Sequence, residues 1–124
     1  MDNKKILIVD DDADTRLILS TRLKANHYRT VYATDAIQAM SVAMKERPDA
    51  ILLDLGLPGG NGLLVLQRLK ANTSLCDIPV IIVTVEDPRA AEELAIQAGA
   101  VAFLQKPVAQ DKLMAAVQLA LGTT

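Results

Sequence analysis

Ile6-Leu7-Ile8-Val9-Asp10-Asp11-Asp12 is a run of four branched apolar residues that stops at three carboxylates. Three more runs stop in the same way. Ala50-Ile51-Leu52-Leu53 ends at Asp54, Val80-Ile81-Ile82-Val83 ends at Thr84, and Ala102-Phe103-Leu104 lies just before Lys106. Unbroken apolar runs of this length suit strands covered on both faces. If they are parallel neighbours, one edge of the sheet gathers three carboxylates, a hydroxyl and an ammonium. Ligand sites in open α/β sheets lie beyond the carboxyl ends of the strands. Like charges packed together repel, so a fold keeps them for a counter-ion or a reaction.

Between the runs the pattern changes to helical spacing. Asp12 suits an N-cap for a helix from about Ala13 to Asn26, with Ile18, Leu19 and Leu23 expected to face inward. A short strand is expected near Tyr28 to Ala33. A helix from about Asp35 to Glu46 places Ala36, Ala39, Met40 and Ala43 on one stripe, and Pro48 blocks its continuation. Leu57-Pro58-Gly59-Gly60-Asn61-Gly62 is a dense turn signal before a helix carrying Leu63, Leu66 and Leu69. Pro79 opens the fourth strand. Pro88 opens the fourth helix, with Ala91, Leu94, Ala95 and Ala98 on its apolar side and Gly99 as its C-cap. The last strand runs to about Gln105, and the final helix, about Gln110 to Leu121, repeats Leu113, Ala116, Val117, Ala120 and Leu121 at helical spacing. Five βα units joined by right-handed crossovers require helices on both faces of a parallel sheet, a doubly wound α/β fold.

The bulk properties narrow the function. A chain of 124 residues is expected to be one domain, residues 1–124, with one core. That core is aliphatic, because the aromatics are only Tyr28, Tyr32 and Phe103. A net charge of -2 gives no reason to expect nucleic acid or an anionic membrane as a direct partner. The single cysteine, Cys76, rules out an internal disulfide and reads as a plain loop thiol. No segment approaches the ~20 apolar residues needed to cross a bilayer. The first apolar run is too short for a signal peptide, so a cytoplasmic location is expected.

The motifs at the strand ends resemble those of response-regulator receiver domains of two-component signalling. Val9-Asp10-Asp11, Leu53-Asp54, Pro58 with Gly62, Val83-Thr84 and Lys106-Pro107 occur in the family's order, across essentially the whole chain. The resemblance implies a flavodoxin-like (βα)5 sheet in strand order 2-1-3-4-5 and a cis Lys106–Pro107 peptide. It also implies a signalling phosphoacceptor, not a metabolic enzyme: Asp54 takes a phosphoryl group from the phosphohistidine of a histidine kinase or histidine phosphotransfer protein. Phosphoryl transfer is mostly positioning plus neutralisation of oxygen charge. By the resemblance, Mg²⁺ or Mn²⁺ is held by Asp11, Asp54 and the Gly56 backbone carbonyl directly, and by Asp10 through a water. Lys106 and the Thr84 hydroxyl then meet phosphoryl oxygens. Thr84 and Phe103 form the implied switch, which changes the surface of the fourth helix, fifth strand and fifth helix for a downstream protein or fused domain.

Departures from the family pattern carry expectations of their own. Phe103 stands where Tyr is common, so the switch works by packing alone. Val85 replaces a small residue and is expected to narrow access to Asp54. Gly56 brings no side chain near an attacking water, so Glu86 and Val85 are expected to tune dephosphorylation. Leu57 replaces a Met of similar volume. No acid stands within Gly99–Phe103, and no Arg follows Lys112, so the charge-paired dimer of winged-helix regulators is not expected.

Other readings stay open at the level of residues. Asp10-Asp11-Asp12 alone also suits a solvated capping turn. Asp10 and Asp12 fit the Asp-x-Asp spacing of haloacid-dehalogenase-type phosphatases, although Asp14 replaces the Thr expected next. A flavin module is opposed by three aspartates where a phosphate would sit. A phosphorylation-independent pseudo-receiver is the bland alternative. His27, at the end of the first helix, reads as a cation favourable to the helix dipole.

Overall fold

The computed structural model describes residues 3–58 and 62–122. Strands and helices alternate along them: β1 (Lys5–Val9), α1 (Ala13–Ala25), β2 (Arg29–Ala33), α2 (Ala36–Glu46), β3 (Ala50–Leu53), α3 (Gly62–Ala71), β4 (Val80–Thr84), α4 (Pro88–Gln97), β5 (Ala102–Gln105) and α5 (Gln110–Ala120). All strand pairs are parallel, in the order β2-β1-β3-β4-β5. Gly59, Gly60 and Asn61 of the expected turn lie outside the described residues.

Alternation along the strands sorts the core into two layers. Leu7, Val9, Ile51, Leu53, Val80 and Ile82 pack against Ala39 and Ala43 of α2, Val65, Leu66 and Leu69 of α3, and Ala95 of α4. Ile6, Ile8, Leu52, Ile81 and Val83 meet Leu19 and Leu23 of α1 and Leu113, Ala116 and Val117 of α5. The chain steps from β1 to β2 on one side and then crosses back past β1 to β3 on the other, so the strand order reverses beside β1 and opens a crevice there.

Local signals act where the sequence puts them. The Asp12 carboxylate caps α1, accepting from the Asp14 N–H at 3.3 Å and the Thr15 hydroxyl at 2.7 Å. Pro88 sits in the first turn of α4 behind an Asp87 cap. Three expectations are corrected. Ile18 is 50% exposed, because Leu19 and Leu23, one turn apart, already fill the sheet-facing stripe of α1. Leu94 is 56% exposed, because α4 approaches the sheet through Ala95 and sets Leu94 on its flank. The C-cap of α4 is Ala98, and Gly99 follows it at φ 112°. His27 is the residue directly after the C-cap of α1, at φ 70°, where the backbone turns left-handed at the end of the helix.

Gly62 shows why the turn before α3 needs glycine. A Cβ there would lie 2.2 Å from the Asp54 carbonyl oxygen and 2.6 Å from the Leu55 Cα. The Gly62 N–H donates to the Leu55 carbonyl at 2.7 Å, so the start of α3 rests directly on the end of β3. Gly62→Ala is expected to cost about 3 kcal/mol and lower Tm by about 10 °C, read by circular dichroism.

Candidate functional site

The ends of β1, β3, β4 and β5 converge. Asp10 continues the β1 ladder, donating its N–H to the Ala33 carbonyl at 3.1 Å, and Asp54 donates to the Val9 carbonyl at 3.0 Å. Both residues are buried. The Asp10 Oδ1 accepts from the Asp12 N–H at 2.9 Å, and the Asp54 Oδ1 accepts from the Gly56 N–H at 3.0 Å. Their second oxygens share one cation. Lys106 Nζ lies 2.7 Å from the Asp10 Oδ2 and 3.1 Å from the Asp54 Oδ2. The Lys106 N–H donates to the Thr84 carbonyl at 2.8 Å, which fixes the base of that side chain to the end of β4.

Asp11 is exposed at the mouth of the crevice, and carboxylate oxygens of Asp10, Asp11 and Asp54 all lie within 4.8 Å of one another. Thr84 is fully buried, and its Oγ1 accepts from the Glu86 N–H at 3.4 Å, which leaves the hydroxyl proton available for donation. Gly56 is exposed beside the Asp54 carboxylate, and Val85 and Glu86 are exposed beyond β4. Phe103 is half-buried on β5 and lines a surface cavity with Pro88, Lys106 and Lys112. The Lys106–Pro107 peptide is cis.

Three carboxylates against one ammonium leave the site net negative. Burial pulls the Lys106 pKa down, but the hydrogen bond to Asp10 and the charge of Asp54 outweigh it, and the ammonium stands above its usual value. The donor set fits a small hard cation, which takes carboxylate and carbonyl oxygens. Asp12 takes no part. It caps α1, and the Thr15 hydroxyl holds its carboxyl below the usual range. The Asp10–Asp12 pair of a phosphatase is therefore not assembled.

One supporting residue escaped the sequence reading. The Arg16 Nη1 donates to the Asp10 carbonyl at 2.9 Å, and its guanidinium lies 5.0 Å from the centre of the Tyr32 ring. An arginine on a helix surface gives no signal of such a role; only the pairing of β1 with β2 brings Tyr32 beneath it.

Comparison with known proteins agrees with this geometry. The model of the response regulator receiver domain matches residues 6–118. The chain belongs to that family. Response regulator MprA of Mycobacterium leprae is 33% identical over 120 residues, 97% of this chain and 52% of that protein. Response regulator PleD of Caulobacter vibrioides is 37% identical over 115 residues, 92% of this chain and 25% of that protein. The chain thus spans about half of the first relative and a quarter of the second. A putative response regulator from Chloroflexus aurantiacus superposes with a TM-score of 0.93 at 27% identity, covering 98% of this chain and 99% of that one. The receiver domain of the sensor histidine kinase PA1611 from Pseudomonas aeruginosa, with a magnesium ion coordinated in its active-site cleft, gives 0.89 at 29% identity, covering 98% and 100%. Among the described residues of the receiver, no helix is long and apolar enough to cross a membrane.

A cation that binds the folded carboxylates stabilises them by mass action. Mg²⁺ at about ten times its Kd is expected to add about 1.4 kcal/mol and raise Tm by roughly 5 °C, and Asp11→Asn should remove most of the shift. A thermal melt in Mg²⁺ and in a chelator reads both.

Proposed function

We propose that this receiver is a phosphoacceptor in which Asp54 takes a phosphoryl group from a phosphohistidine. An Asp54 carboxylate oxygen attacks the phosphorus, an O–P bond forms and the P–N bond breaks. The imidazole nitrogen leaves with the bonding pair and takes a proton from solvent. The product is an acyl phosphate on Asp54, which a water later cleaves by attack at phosphorus. The observation that carries the reading is the buried Asp54 carboxylate held between the Gly56 N–H and the Lys106 ammonium, at 3.0 and 3.1 Å.

Each neighbour has a part in this scheme. Lys106, already poised on Asp54, follows the new charge onto a phosphoryl oxygen, and Thr84 donates its hydroxyl proton to another. Asp11, Asp54 and the Gly56 carbonyl would hold Mg²⁺ or Mn²⁺ directly, with Asp10 behind a water. Bound there, the ion supplies charge neutralisation for phosphoryl oxygens. Val85 and Glu86 flank the approach and tune how donors and water enter, Gly56 leaving that side open. A phosphorylation-independent module has no use for this convergence of Asp10, Asp54, Thr84 and Lys106.

The output is a population shift. Thr84 drawn toward the phosphoryl group vacates space, and Phe103 turns into it, which changes the α4-β5-α5 surface. With no phenolic hydroxyl at Phe103, the change is one of packing. The donor is a histidine kinase or histidine phosphotransfer protein in the cytoplasm, and the recipient is a downstream protein or fused domain. The domain itself touches neither nucleic acid nor membrane.

Incubation with acetyl phosphate and Mg²⁺ is expected to add one phosphoryl group to the intact mass, and Asp54→Asn to abolish it. No adduct on the wild-type chain would sink the reading. In the same assay Val85→Ala is expected to speed adduct formation, since it removes exposed bulk beside the approach.

A further inference from the structure

We propose that Arg22 is a positioning residue for Lys106, acting from α1 through the turn between β5 and α5. Its Nη1 donates to the Val108 carbonyl at 2.7 Å, across 86 positions of sequence. The proposal rests on the phosphoacceptor reading only for its rate measurement.

The turn needs an outside hold. Its last ladder bond is the Lys106 N–H to the Thr84 carbonyl, and its next fixed point is the Ala109 carbonyl, which accepts from Leu113 in the first turn of α5. Pro107, between them, has no N–H to give. Ala109 stands at the N-cap of α5 with no side-chain cap. Arg22 reaches into this interval from a helix that Leu19 and Leu23, 3% and 0% exposed, clamp to the sheet. Arg22 lines a cavity together with Ile18, Val83, Lys106 and Val108. Lys106 is two residues before the carbonyl held, and its long stem must end within hydrogen-bond reach of two carboxylates at once. A small displacement of the turn moves Nζ off one or both.

Releasing Arg22 therefore has two consequences of opposite sign. Phosphoryl transfer loses a placed ammonium, so it slows. The carboxylates lose a competing cation, so a divalent ion binds more tightly. General destabilisation would weaken both together. The rival account is that Val108, packed in the layer under α1 and α5, holds the turn without help.

Arg22→Met separates these cases, since it keeps the aliphatic stem and removes the donor. In the full chain we expect it to slow adduct formation from acetyl phosphate roughly tenfold. We expect it to tighten Mn²⁺ roughly threefold, measured from the free-ion electron paramagnetic resonance signal. Arg22→Lys, which keeps a donor, should recover most of both. On a Lys106→Met background, Arg22→Met should change neither. Wild-type behaviour of Arg22→Met in both measurements would overturn the proposal, as would parallel weakening, or an undiminished effect without Lys106. If the wild-type chain takes no phosphoryl group, the phosphoacceptor reading falls while the Mn²⁺ measurement still decides the role of Arg22.

Discussion

Asp10 and Asp54 extend adjacent parallel strands by one residue past Val9 and Leu53, which are partners in the register. Nothing in the sheet keeps their charges apart. Two carboxylates about 5 Å apart at an effective dielectric of about 20 repel by about 3 kcal/mol. The Lys106 ammonium, between them at 2.7 and 3.1 Å, makes that edge tolerable. Everything else in the crevice is arranged around this three-charge contact.

The scaffold serves it by stiffness. Two aliphatic layers clamp the sheet from both faces, so the strand ends are held to narrow positions. At the close approach of α3 to β3, Gly62 lets the backbones touch directly behind Asp54. On the other face α1 sends Arg16 to the Asp10 carbonyl and Arg22 to the Val108 carbonyl. One helix thereby braces both the acidic turn and the turn that carries the lysine.

The same arrangement separates the acidic crevice from the edge of the sheet. Asp10, Asp54 and Thr84 are buried at the crevice, whereas Phe103 is half-buried on an edge strand between α4 and α5. Thr84 stands beside Gln105 in the register, two residues along β5 from Phe103. The end of β4 is therefore paired directly with the strand that carries the aromatic.

The sequence by itself determined the strands, most helix limits and the family. Four apolar runs suit strands covered on both faces, which β1, β3 and β4 are, while the run in β5 lies half-buried at the sheet edge; the polar residues at their ends keep the family's order. It also determined that Asp12 and Pro88 begin helices, because capping and the fixed proline φ are local chemistry, whereas the Asp87 cap of α4 is seen only in the structure. The tertiary structure alone decided which helix side chains reach the core, leaving Ile18 and Leu94 on the flanks, since periodicity defines a stripe and not how deeply a neighbour covers it. It alone placed Lys106 on two carboxylates that precede it by 96 and 52 residues, and laid Arg16 over Tyr32. Those contacts depend on strand register and helix docking, and these arise only when the whole sheet closes on its two layers.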